Sequence, residues 1–355
     1  MNNPFEPGLL SRIAGPVRKV ALLRASRIGD FICAIPAFRS LRAALPHAEI
    51  TIITLPLLRD LVDRSPYFDR FVAFPGFPGI AEQFFSASRA IQFFAEMQAE
   101  HFDLAIQIQG SGVYSNPFML LLGARYTAGF VRPGDSPGRL DAAFPMPEKG
   151  HEVQRLLDLV QFLGVPSLGS EIEFPLLSQD HERAEALLAG TKPPLIGLHT
   201  SARAATRRWS LSRFLQTAAR LVRKYDGTVV VLGDVEDYEA GKVIGQTLGN
   251  ACLNLAGRTS LGTLGAVIAR LSVLITNDTG PAHIGYALRT PTVTIFGGES
   301  PEAYGPPQSG PFQPLIYEVP CRPCNHAECP VGYTCLEGVT PDMAVEAAES
   351  ILRLI

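Results

Sequence analysis

The chain has 355 residues, enough for two domains at about 150 residues each. Hydrophobic residues make up 46% and charged residues 18%, which excludes disorder, collagen and coiled coil, and a formal charge of −3 offers no broad basic surface for nucleic acid. No apolar run reaches the roughly 18 residues of a membrane-spanning helix.

The opening residues MNNPFEPGLLSRIAG lack the basic start and apolar stretch of a secretory signal, so a cytoplasmic protein is expected. KVALLRA, from Lys19, predicts a buried strand. FICAIPAFRSLRAAL then predicts a helix, with apolar positions 31, 32, 35, 38, 41 and 45 recurring at three- and four-residue steps. Pro36 is expected to kink that helix or confine it to its later turns. Next come EITIITL as a strand, LRDLVDRS as a short helix, FVAF as a strand, a long helix from about Ala81 to Ala99, and FDLAIQIQG as a strand. This alternation implies a parallel sheet covered on both faces.

From about Val165 to Pro194, glycines and prolines surround one polar helix near Gln179 to Leu188, which marks a domain boundary. The expected division is a first Rossmann-like domain over residues 1–175 and a second over 176–340. The rhythm restarts in PLIGLHT, SLSRFLQTAARLVRKY, GTVVVLGD, EDYEAGKVIGQTLG, ACLNLAG, SLGTLGAVIARL, SVLITND, GPAHIGYAL and PTVTIFG. The closing segment PDMAVEAAESILRLI, residues 341–355, reads as a helix with Pro341 in its first turn. Two doubly wound α/β domains facing each other across a cleft are the expected fold class.

Open α/β sheets bind ligands beyond the carboxyl ends of their strands. Three such turns carry unusual chemistry. In ASRIGD, Asp30 stands where a helix begins, either as a helix cap or as a general base whose ionised form the helix N-terminus favours. In HTSARAATRRWS, the hydroxyls of Thr200, Ser201 and Thr206 precede Arg203, Arg207 and Arg208; this is either a solvated basic loop or an anion site. Trp209, the only tryptophan, reads as core. In NDTGPAHIGYAL, Asp278 and Thr279 offer capping oxygens, Gly280 allows close backbone approach and His283 lies in the first turn. That turn serves equally as a plain helix cap or as a diphosphate site. The dinucleotide, P-loop, nucleophile-elbow and zinc-protease signatures are all missing from the sequence.

Four of the six cysteines fall in C-R-P-C-N-H-A-E-C-P-V-G-Y-T-C. Cys321 and Cys324 have metal-knuckle spacing, and Cys329 and Cys335 complete a set for structural zinc or iron. A structural thiol cluster without metal is the alternative.

ALLRASRIGDFICAIPAFRSLRAALPHAEITIIT, the TRRW block, VLITNDTGPAHIGYALRTPTVTIFGGESPEAYGP and the terminal C-x-x-C-x4-C-P-x-G resemble glycosyltransferase family 9, the heptosyltransferases of lipopolysaccharide core assembly. The resemblance runs from about Val17 to the end. It implies a GT-B fold with an acceptor-binding first domain, a nucleotide-sugar-binding second domain and a terminal helix that crosses back onto the first. It implies inverting, metal-independent transfer, most simply of heptose from ADP-heptose to a lipopolysaccharide core or related glycan. Alternatives are another nucleotide sugar, a protein acceptor, or a non-catalytic metal-stabilised assembly protein. Carried over by position, Asp30 resembles the catalytic base, and Asp278, Thr279, Gly280 and His283 match the donor signature. Arg207 stands where the family often has Lys against the diphosphate. Thr200, Ser201 and Arg208 are expected in the same donor site. For the acidic residue expected at the donor ribose, Asp237 fits the spacing better than Glu236 or Glu239. A lipid-anchored acceptor would bring the protein to the inner face of the inner membrane.

Overall fold

Six parallel strands form a first sheet: β1 (Lys19–Arg24), β2 (Glu49–Thr54), β3 (Arg70–Ala73), β4 (Leu104–Gln107), β5 (Tyr126–Val131) and β6 (Ala142–Pro145). Six more form a second: β7 (Leu195–His199), β8 (Thr228–Leu232), β9 (Cys252–Asn254), β10 (Val273–Asn277), β11 (Thr292–Phe296) and β12 (Phe312–Ile316). These coordinates are a computed structural model that describes residues 3–324 and 326–353. The chain divides into two compact units after Ile172, near the end of the expected first domain. Residues 1–2 of that domain and 354–355 of the expected terminal helix lie outside the described residues.

The strand orders are β3-β2-β1-β4-β5-β6 and β12-β11-β10-β7-β8-β9. Both are the doubly wound order, in which the direction of winding reverses between the first and fourth strand of a unit. In the first unit that switch lies between β1 and β4, and in the second between β7 and β10. The apolar runs that predicted these strands are needed because both sheet faces are covered: Val20 to Leu23 and Val229 to Leu232 are at most 1% exposed.

Two elements differ from expectation. The helix Ile28–Ala44 runs through Pro36 rather than starting after it. Phe31 to Phe38 and Leu41 are buried. Burial of that many side chains, at about 1.5–3 kcal/mol for each large one, outweighs the roughly 3 kcal/mol cost of an interior proline. The helix expected from Ala81 instead spans Ala87–Ala99. Strands β5, β6 and β12, and the helix Glu152–Phe162, had no counterpart in the sequence pattern.

The terminal helix Pro341–Leu352 packs along the helix Leu211–Tyr225 of the second unit. Its Ala344, Ala348 and Ile351 join a core with Trp209, Phe214 and Val339. Trp209 is 1% exposed, and its indole N–H donates to Val339 O at 2.9 Å, so this ring is a core element.

Candidate functional site

At the switch point of the second unit, His199 ends β7 and pairs in register with Thr276 of β10. Neighbouring strand ends therefore launch the hydroxyl loop and the NDTG turn side by side. Asn277 ties them together: its Oδ1 accepts from Trp209 N at 2.9 Å, and its Nδ2 donates to Thr200 O at 3.0 Å and Ser201 O at 3.2 Å. The His199 ring spans the same gap, with Nε2 3.3 Å from Ser201 Oγ and Nδ1 3.1 Å from Thr279 Oγ1. Burial holds its pKa below the ordinary histidine value, against the opposing fields of Asp237 and Asp234. A neutral imidazole with hydroxyls on both nitrogens fixes the orientation of both loops.

Thr279 caps the helix Gly280–Ala287 through its extended backbone, and no side-chain capping bond is made. Its hydroxyl turns instead to His199 and to Asn277 O. Thr279 and Gly280 are partly exposed, so the first-turn amides of that helix offer donors that suit an anion. Asp278 is 2% exposed; its Oδ1 lies 3.9 Å from His283 Nε2 and its Oδ2 lies 3.7 Å from Arg207 Nη1. Arg207 also donates from Nη2 to Glu299 Oε2 at 2.5 Å.

The short 3-10 turn Ala205–Arg207 is held from outside the sheet. Thr206 Oγ1 donates to His326 O at 2.7 Å, Ala205 N to Ala327 O at 3.0 Å, and Gly298 N to Thr206 O at 2.9 Å. Cys324 N in turn donates to Gly298 O at 2.7 Å. The cysteine-rich segment therefore braces the turn that carries Arg207. Cys321, Cys324, Cys329 and Cys335 are all free thiols. Among the described residues, no group of three or more His, Cys, Asp or Glu is arranged to hold a metal ion. As placed, the thiols do not fit a zinc or iron centre.

Thr200, Ser201, Arg207, Asp278, Thr279 and His283 are thus brought together. Arg208 is not: its guanidinium folds back onto Ala202 O, with Nε at 3.0 Å. Asp237 follows β8, but it is buried and its carboxylate accepts from Asp234 N at 3.0 Å, which secures the turn. Glu236 and Glu239 are exposed.

In the first unit, Asp30 is the third residue of its helix; Arg27 occupies the cap position. The Asp30 side chain is 32% exposed, and its Oδ1 lies 3.6 Å from Nη2 of Arg24 at the carboxyl end of β1. This is again a switch point, with β4 on the other side. Beyond β4, residues Gln109 to Ser115 line a cavity of about 440 Å³ together with Gly79 to Glu82 and Arg132.

The sequence reading missed Arg24, Glu152, His199, Asn277 and Glu299. His199 and Asn277 were adjacent to assigned residues, and their position at strand ends was the available signal.

The sequence model of glycosyltransferase family 9 (heptosyltransferase) matches residues 90–334. The chain is 26% identical over 353 residues to lipopolysaccharide heptosyltransferase 2 of Salmonella typhimurium, covering 94% of this chain and 98% of that protein. Its fold is similar to that of a family 9 glycosyltransferase from Veillonella parvula, with TM-score 0.79 and 22% identity over 96% of this chain and 99% of that one. The E. coli ADP-heptose lps heptosyltransferase II has TM-score 0.75 and 22% identity, over 95% and 99% of the two chains.

Proposed function

The chain belongs to glycosyltransferase family 9, and from that premise we propose that it transfers a heptose from ADP-heptose to a lipopolysaccharide core acceptor, inverting the anomeric centre. The observation that carries this reading is the convergence of Arg207, Asp278, Thr279 and His283 at the switch point between β7 and β10. An arginine fork, hydroxyls and helix amides together suit a diphosphate.

Asp30 is the proposed base. The acceptor hydroxyl oxygen attacks the anomeric carbon, and its proton passes to the Asp30 carboxylate as the new C–O bond forms. The bond from that carbon to the phosphate oxygen breaks, and its electron pair leaves with the nucleoside diphosphate. Arg207 and the amides at Thr279 and Gly280 stabilise the departing charge, a role that protein cations and dipoles fill without a metal. Thr200 and Ser201 complete the diphosphate contacts. Asp237 supports the ribose side of the site by fixing the turn after β8. Arg208 shapes the hydroxyl loop through Ala202.

Among the described residues no helix is long and apolar enough to cross a membrane. A lipid-anchored acceptor would accordingly be met by peripheral association at the inner face of the inner membrane. A thermal-shift series with ADP-, UDP- and GDP-sugars tests the donor assignment. Stabilisation by ADP-heptose above the others is expected, and selective stabilisation by a UDP- or GDP-sugar overturns it.

A further inference from the structure

Arg24 is 3% exposed, yet it lies among charged groups. Its Nη1 donates to Ile108 O at 2.5 Å, and its Nη2 donates to Asp30 O and to Glu152 Oε1, both at 2.9 Å. Glu152 opens the helix Glu152–Phe162, and its other oxygen accepts from Arg155 Nη1 at 2.6 Å. Two buried charged side chains, Arg24 of β1 and Glu152 of a distant helix, are therefore paired, with the partly buried Arg155 on the far side of Glu152, and Arg24 reaches the first turn that carries Asp30. Ion groups buried in this way seldom add net stability over apolar replacements, so a stability role alone is a weak reason for them.

We propose that Arg24 and Glu152 are positioning residues for Asp30, Arg24 orienting its carboxylate and Glu152 sharing the arginine's charge so that Asp30 keeps its basicity. This inference rests on the reading of Asp30 as the base. Nη1 and Nη2 of Arg24 donate to Glu152 and to two carbonyls, and Nη2 lies 3.6 Å from Asp30 Oδ1, so the arginine's charge is shared between the two carboxylates. A close, exclusive ion pair would make Asp30 a poor proton acceptor, and a missing cation would leave it protonated more readily. The other charged or titratable groups near this turn are Arg155, His151, whose Nδ1 accepts from Val153 N, and Arg27, which pairs with Glu82 at 2.8 Å.

The two residues have opposite electrostatic effects, which separates positioning from packing. In pH profiles of kcat/KM, Glu152→Gln should move the acidic limb down by about one pH unit and Arg24→Met should move it up by about one. Glu152→Asp, which restores the charge, should return the limb toward wild type. Thermal denaturation of the full chain, followed by circular dichroism, reports whether each variant is folded, the first unit included. If Arg24→Met does not fold, Arg24→Lys carries the test: the limb stays in place while kcat falls by about tenfold, because charge is kept and the fork is lost. Acidic limbs coinciding with wild type in Glu152→Gln and Arg24→Met, or an unchanged kcat in Arg24→Lys, overturn the inference provided Asp30→Ala is inactive. An active Asp30→Ala overturns the base reading itself.

Discussion

Arg207 donates from Nη2 to Glu299 Oε2 at 2.5 Å, while its Nη1 stands 3.7 Å from Asp278 Oδ2. Two carboxylates flank one guanidinium, so they offset part of the positive charge that Arg207 brings to the proposed diphosphate site.

Glu299→Gln keeps an oxygen acceptor for Arg207 and removes one of those charges. ADP should then bind about fivefold more tightly, an effect kept small by solvent screening because Arg207 is 38% exposed. Calorimetric titration with ADP measures this directly. Weaker binding in the variant would place the value of Glu299 in holding the fork, against this expectation.

Asn277 is fully buried and is shared between Trp209, Thr200 and Ser201. Asn277→Ala leaves one buried amide and two carbonyls without that partner, at an expected cost of about 2–4 kcal/mol. Urea denaturation should show it, along with weaker ADP binding as the two loops separate. A loss below about 0.5 kcal/mol would mean that the loops are held by other contacts.

His199 adds a pH dependence whose sign is fixed by its burial. Its folded pKa lies below the ordinary 6.5, so between those values the unfolded chain binds a proton that the folded chain does not. This contribution to stability is full above pH 6.5 and is lost as pH falls toward the folded value. Denaturation at pH 5.5 and 7.5 should show a decline on acidification that is reduced in His199→Asn. An equal decline in both proteins would assign the effect to other groups.

The cysteine-rich segment braces the Arg207 turn through bonds from Ala205 N to Ala327 O, from Thr206 Oγ1 to His326 O and from Cys324 N to Gly298 O. Chelation of the purified protein should therefore leave the donor KM and kcat unchanged. A rise in donor KM after chelation, with metal found in the untreated protein, would show that a metal orders this brace.

Much of the fold was legible because buried parallel strands must be continuous apolar runs, as in β1, β2, β8 and β10. Strands that break that rule were not. Gly129 interrupts β5, β6 is four residues ending in Pro145, and β12 tolerates Pro314 only because it is an edge strand. Pro36 does not confine its helix to the later turns, since tertiary burial that no local window contains offsets the local cost of the proline. The donor turns could be read from short motifs at strand ends. Arg24 and Glu152 could not: 128 residues separate them, and nothing local signals that they meet. The side-chain directions of Asp237 and Arg208 were equally invisible, because each is decided by a turn amide or carbonyl that only the folded loop presents.

The most direct measurement of transfer pairs ADP-heptose with a heptose-free lipopolysaccharide core acceptor and follows both ADP release and acceptor mass. Wild-type protein should add one heptose with inverted configuration. Asp30→Ala should bind ADP normally and lose turnover by about 100-fold or more. No mass gain with wild type, or near-normal turnover in Asp30→Ala, would contradict the assignment of transfer or of its base, respectively.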